Sequence, residues 1–388
     1  MRVLIAPDTF GTTLGATQVA AAMAEGWADG APHDEVRQLP LSNGGPGFLD
    51  VLERAVGGTM VATTVSDPLG REVPAAVLLA DVGGRRTAWV EAAQASGLHL
   101  LAADERDPRV TSTWGVGQLL DTALAEGATR VVVGVEGSAT NDAGAGMLAA
   151  LGAGPAAALA RGGLGLRDAP ADALAGLPDV LARFAGVEVV LATDDPTPLL
   201  GLAGTSAVES PRKGAAPEHA QALEAALGHF TDLLARTLPS PPTDLLTGAP
   251  RRLDREPGAG AAGGLGYALL ALGARHTGAV SEVLRVTGFD VAAAGSDLVV
   301  TATDRLDWTS LRGSVVSGAA EAGAAAARPV VCVAGEVLVG RRETMTTGLA
   351  GCYAVADLPH EVDAMLADPV GTLRRRTARV ARTWSPAR

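Results

Sequence analysis

The chain has 388 residues, 47% of them apolar, a length that one hydrophobic core rarely spans and a composition that can fill two. Its net charge of −12 excludes the basic face on which sequence-independent nucleic-acid binding rests. No uninterrupted apolar run reaches the roughly 18 residues that a membrane helix needs. The opening Met1-Arg2-Val3-Leu4-Ile5-Ala6-Pro7 reads as a buried strand rather than a secretory leader, so a cytoplasmic protein is expected.

In chain order, Val3–Ala6 reads as a strand and Leu14–Gly26 as a helix with apolar residues at helical spacing. Gly117–Glu126 is a second helix, followed by the strand Thr129–Gly134. Val187–Ala192 is another strand. The helix Val280–Thr287 leads through a short turn to the strand Asp297–Thr301, and Pro329–Ala334 closes the series. Continuous β-branched runs bounded by helices predict parallel strands covered on both faces, hence an α/β class. The Gly/Ala-rich stretch 153–180 and the Pro-rich stretch 238–258 read as excursions. The two cysteines, Cys332 and Cys352, support neither a disulfide framework nor a metal site, and Cys332 reads as a buried structural thiol. Arg374-Arg375-Arg376 reads as a solvated helix end. Of 31 basic residues only Lys213 is lysine, which singles it out, because a compact ammonium is not interchangeable with a guanidinium fork.

In parallel α/β sheets ligands bind beyond the carboxyl ends of strands, so the segments after each strand are the candidates. Asp8 follows the first strand and can meet a substrate hydroxyl or Mg²⁺, or cap the next helix. Ser42-Asn43-Gly44-Gly45-Pro46-Gly47 is a tight glycine loop that an anion can approach, or an ordinary turn. The richest stretch runs from Gly134 to Gly146 and carries Ser138, Thr140, Asn141 and Asp142 before a helix start near Gly144, which suits a phosphate or carboxylate. It lacks the Gly-Lys-Ser/Thr of a Walker A loop. Gly258, Gly260 and Gly263 satisfy G-x-G-x-x-G, with Gly264 and Gly266 beyond, but the polar residues 250–257 before them exclude a nicotinamide-cofactor strand. Thr193-Asp194-Asp195 and Ser210-Pro211-Arg212-Lys213-Gly214 offer carboxylate and ammonium to a Mg²⁺-nucleotide, or are surface turns.

Taken in order, these stretches resemble the glycerate kinase family. The resemblance is carried by Ala6-Pro7-Asp8-Thr9-Phe10, Asn43-Gly44-Gly45, Ala95-Ser96-Gly97-Leu98, Gly137-Ser138-Ala139-Thr140-Asn141-Asp142, Pro211-Arg212-Lys213-Gly214-Ala215, Gly258 to Gly266 and Arg305-Leu306-Asp307. It implies a discontinuous, Rossmann-like parallel-sheet domain of residues 1–65 and 280–388, an inserted α/β domain of 66–279, and a cleft between them. It also implies ATP and Mg²⁺ as cofactors and a glycerate-like hydroxy acid as substrate. From charge and apolar patterning no nucleic-acid or membrane partner is expected, and a homodimer is the assembly to test. On this reading Asp8, Asp194, Lys213, Arg305 and Asp307 are catalytic, with Asp194 as a metal ligand. Asn43, Gly44, Gly45, Ser138, Thr140, Asn141, Asp142, Gly260, Gly263 and Gly264 bind substrate and nucleotide.

Several positions depart from the family pattern. Ser-Phe-Lys after the first-strand Asp becomes Thr9-Phe10-Gly11, and Ala-Asp-Gly-Gly-Glu-Gly becomes Ser42 to Gly47 without either carboxylate. Cys-Asp-Val-Asp-Asn becomes Thr193-Asp194-Asp195-Pro196-Thr197. Thr-Gly-Glu-Gly-Arg-Ile-Asp becomes Thr301 to Asp307 without the Glu, and the Lys of a later Gly-Lys becomes Ser314. Codon bias would turn Lys into Arg and keep the charge; Gly11 and Ser314 abolish it. Phosphoryl transfer depends on neutralising charge on the transferred group. Two readings therefore stand: a kinase in which Arg212, Arg305 or Asp304 replaces the missing charges, and a relative that binds ligand or nucleotide without turnover.

Overall fold

The computed structural model describes residues 1–10, 13–239, 243, 248 and 251–385; Gly11 and part of the 238–258 stretch lie outside them. Among the described residues the strands in chain order are β1 (Arg2–Ile5), β2 (Glu35–Gln38), β3 (Thr59–Ser66), β4 (Glu72–Val82), β5 (Arg85–Glu91), β6 (Arg130–Gly134), β7 (Glu188–Ala192), β8 (Arg275–Thr277), β9 (Leu298–Leu306), β10 (Val330–Val337) and β11 (Leu349–Ala354). The chain divides into two compact units: Met1–Asn43, Asp50–Val56 and Gly278–Arg388 form the first, Gly44–Leu49 and Gly57–Thr277 the second. The class is α/β, as the sequence indicates.

The first unit is built on a parallel sheet ordered β11-β10-β9-β1-β2. Its middle strands are wholly apolar where they cross the core: Val3, Leu4 and Ile5 pair with Leu298, Val299 and Val300, all buried. The strand expected to end at Thr301 continues to Leu306, because Arg305 and Leu306 keep their pairing with Glu336 and Val337 of β10. Asp304 and Arg305 are thus strand residues, not loop residues. Helices Ala16–Gly30 and Pro369–Trp384 pack so closely that a Cβ on Gly26 would sit 2.4 Å from the Arg374 carbonyl oxygen, and one on Gly30 2.3 Å from that of Ala378. The arginine run is not simply solvated: Arg374 bonds Glu25 and Asp29, Arg375 bonds Asp368, and Arg376 lies over the Tyr353 ring. Cys332 is buried on β10, and burial pushes its thiol well above the usual range.

Asp34 fastens one corner of this unit. Its enclosed carboxylate accepts from the Met1 ammonium, from Trp27 Nε1 at 2.9 Å and from Ser385 Oγ at 2.9 Å. Burial pushes its pKa up, but these donors outweigh burial and hold it below the usual value. Because the folded value is the lower one, this stabilisation is present at neutral pH and is lost as the pH falls below about 4. Asp34→Ala is expected to cost about 2–3 kcal/mol at pH 7, since it strands buried donors. Urea titration at about pH 7 and again near pH 3 checks it; a cost that does not shrink in acid would refute this account.

The second unit carries a sheet ordered β3-β4-β5-β6-β7-β8. Strands β5 to β8 are parallel, but β3, β4 and β5 form an antiparallel meander that the parallel-strand reading did not anticipate. The β4–β5 connection is a two-residue turn, Gly83-Gly84, with φ of 59° and 76°, the left-handed pair that a tight hairpin requires. At the sheet centre, β6 is buried along its whole length. The 153–180 stretch folds into short helical turns, and Gly163–Asp168 packs on the long helix Pro217–Thr237.

Candidate active site

In the second unit the loops after β5, β6 and β7 gather at the carboxyl ends of the parallel strands. The loop after β6 is the centrepiece. Asp142 anchors it from below: Oδ2 accepts from Thr113 N (2.8 Å), Thr113 Oγ1 (3.0 Å) and Gly146 N (3.2 Å), and Oδ1 from Gly144 N (3.1 Å). Burial pushes its pKa up while the Thr113 and glycine donors oppose the shift. Ser138 Oγ meets Thr140 Oγ1 at 2.9 Å and accepts from Thr140 N. Lys213 Nζ donates to the Thr140 carbonyl at 2.9 Å, so the sole lysine clamps the loop from the turn Ser210–Lys213. Burial lowers the Lys213 pKa, and Glu209, Asp195, Glu136 and Asp142 counteract that.

The 258–266 stretch interlocks with the same loop. Ala143 N donates to the Gly263 carbonyl, and a Cβ on Gly263 (φ 69°) would lie 1.9 Å from the Thr140 oxygen. Ala143 and Ala262 both adopt left-handed backbone, φ 52° and 54°, which costs a non-glycine residue energy and tends to concentrate at functional sites. Gly260 N bonds the Thr197 carbonyl, and a Cβ on Gly264 would lie 2.7 Å from the Ala143 Cα, so these glycines serve loop-to-loop packing. Gly44 and Gly45 sit on the other flank: Gly44 abuts Gly134, and Pro46 abuts Gly137.

Burial separates scaffold from surface. From Gly134 to Gly146 every residue is buried except Glu136 and Gly137. Ser138, Thr140, Asn141 and Asp142, read from sequence as ligand contacts, therefore stand behind that opening, at most 7% exposed. Glu136, which the sequence reading passed over, stands in it. Its Oε1 accepts from Thr193 Oγ1 at 2.8 Å. Burial, together with Asp195, Glu209 and Asp194, pushes its carboxyl up to about 7 against that hydrogen bond. Asp194 is half-buried after β7, beside Asp195, whose Oδ1 is engaged by Thr197 N.

The remaining predicted residues lie in the first unit, again at the carboxyl ends of parallel strands. Asp8 follows β1; its Oδ1 accepts from Thr9 N at 2.8 Å, and it caps no helix, since Gly15 holds that position. Burial pushes its carboxyl up to about 6. Asn43 follows β2. Arg305 pairs with Glu336 at 3.4 Å. Asp307 accepts from Thr309 N, Thr309 Oγ1 and Ser310 N, so it shapes its own turn. Ser314 has become a helix cap, accepting from Ser317 N at the start of Val315–Ala325.

The polar groups behind the loop include Asn141 Oδ1, Thr205 Oγ1 and Ser210 Oγ, all buried without a protein partner. That set holds an acceptor and two hydroxyls that can donate or accept. Among the described residues no group of three or more His, Cys, Asp or Glu could hold a metal by itself. Mg²⁺ commonly uses one or two carboxylates plus phosphate oxygens, a need that Asp194 fits.

The Glycerate kinase family model matches residues 3–385. This chain belongs to the glycerate kinase family. It is 35% identical to the glycerate kinase of Bacillus subtilis over 92% of this chain and 90% of that one. It is 34% identical to the glycerate 2-kinase of Escherichia coli, over 87% and 86% respectively. A crystal structure described as a putative glycerate kinase 2 from Salmonella typhimurium LT2 superposes with a TM-score of 0.75 at 33% identity, covering 99% of this chain and 98% of that one. Ser314, where the family pattern read from the sequence expects a lysine, caps a helix start.

Proposed function

We propose that this chain transfers the terminal phosphoryl group of ATP, with Mg²⁺, to a hydroxyl of glycerate or a related small hydroxy acid. The observation that supports this best is the loop after β6. Its polar core is fixed by Asp142 and Lys213, and it opens to solvent only at Glu136 and Gly137. Such pre-fixed geometry is what phosphoryl transfer asks of a protein, since most of the catalysis is positioning and charge stabilisation. When bound, Mg²⁺ neutralises phosphate charge, and Asp194 is the residue that would hold it. Lys213 would keep the Thr140 carbonyl and its neighbours in place behind the opening. In the first unit Asp8, Arg305 and Asp307 are assigned supporting roles at the strand ends.

The test is purified protein with ATP, Mg²⁺ and D-glycerate, following ADP release and phosphoglycerate. Turnover that disappears in Asp194→Ala supports the kinase reading. The alternative, a relative that binds without turnover, draws on the engagement of Lys213, Arg305 and Asp307 with protein partners. It would be supported by nucleotide binding in calorimetry with no ADP released over hours.

A further inference from the structure

We propose that Glu136 is the general base that takes the proton from the acceptor hydroxyl during transfer. The inference deepens the kinase reading above and rests on it. A ligand approaching the loop after β6 from solvent meets Glu136 and Gly137, because everything else from Gly134 to Gly146 is buried, and only Glu136 offers a side chain. That side chain is held in position from the neighbouring strand end. Thr193 Oγ1 donates to Oε1 at 2.8 Å, and Thr193 Oγ1 itself accepts from Asp195 N at 3.1 Å. The Thr193 carbonyl is in turn met by His276 Nε2 at 3.0 Å. A carboxylate bonded through one oxygen keeps acceptor capacity on the other.

The other carboxylates are less suited. Asp195 lies after β7, outside the loop after β6, and Asp194 is the residue assigned to Mg²⁺. Asp8 belongs to the first unit, and Asp142 is enclosed by its own donors. The charged and titratable groups around Glu136 are Asp194 and Asp195 after β7, Glu209 and Lys213 on the turn beyond, and His276 behind Thr193. Burial above all, with the Asp195 and Glu209 charges adding to it, pushes the carboxyl up to about 7, where a base works best at physiological pH. In the step, the acceptor O–H bond breaks and its proton passes to Glu136. The freed oxygen forms the new P–O bond as the bond from the terminal phosphorus to the ADP oxygen breaks. Glu136 then returns its proton to solvent.

The experiment compares wild type, Glu136→Gln and Glu136→Asp with ATP, Mg²⁺ and D-glycerate between about pH 5 and 9. Wild-type kcat is expected to rise with pH and level off above about 7, because the base must be deprotonated. In Glu136→Gln, kcat is expected to fall about 10²–10³-fold with KM changed less than about threefold, and the rise should vanish. Glu136→Asp should keep the rise and lose about tenfold, since it retains the base at a greater reach. A Gln variant within about threefold of wild-type kcat, or one that keeps the rise, overturns the assignment. If Glu136→Gln fails to fold, an Asp variant whose kcat no longer rises with pH overturns it. Wild type without turnover overturns the kinase reading and the base together; an active wild type with an unaffected Gln variant overturns the base alone.

Discussion

Asp142→Ala lowers the stability of the second unit by about 3–5 kcal/mol. The substitution leaves Thr113 N, Thr113 Oγ1, Gly144 N and Gly146 N without their shared acceptor in a region that water does not reach. Each buried donor stranded in this way costs about 1–3 kcal/mol, and relaxation recovers part of the sum. At about 2–4 °C per kcal/mol for a unit of this size, the thermal transition should drop by about 10 °C. Asp142→Asn keeps one carbonyl oxygen and should lose about half as much. Calorimetry on the full chain decides it, because a drop of less than about 2 °C for the alanine variant would mean that the carboxylate does not anchor the loop.

Lys213→Met abolishes most activity while leaving the fold intact. Methionine matches the stem and removes the ammonium, so the Thr140 carbonyl loses its clamp and Glu136, Asp195 and Glu209 lose a buried cation. Loss of one preorganised electrostatic group costs about 10²–10³ in kcat. Arginine should not rescue it, because a branched guanidinium has no room where the lysine is only 3% exposed. Rates of ADP release with D-glycerate, alongside circular dichroism to confirm folding, provide the check. A methionine variant retaining more than about a third of wild-type kcat would assign Lys213 to structure alone.

Much of this was legible in the sequence, for reasons that also mark its limits. The runs Val3–Ile5 and Arg130–Gly134 declared themselves as buried strands because parallel strands covered on both faces have no polar alternation to disguise them. The meander β3 to β5 went unread because its strands mix exposed and buried positions, and a proline, Pro74, lies within β4. Lys213 stood out by composition, yet its role as a clamp depends on Thr140, far away in sequence, which no local pattern encodes. Glu136 went unnoticed for the same reason: its environment is made by Thr193, Asp194, Asp195 and Glu209, all from later segments. For Arg305 and Asp307 the family pattern suggested catalytic charges, whereas the folded chain engages both with near neighbours, Glu336 across the strand pair and the Thr309–Ser310 turn.

The sheet order β11-β10-β9-β1-β2 has a consequence for biosynthesis. Strand β1 sits between β2 and β9, so one of its edges stays open until the ribosome has delivered residues beyond 298. The helix Ala16–Gly30 likewise waits for Pro369–Trp384, whose backbone it meets at Gly26 and Gly30. The nearly continuous stretch 57–277 faces no such delay and can mature first. A fragment ending near residue 280, once released from the ribosome, should therefore hold a protease-resistant second unit attached to an N-terminal arm that proteases still cut.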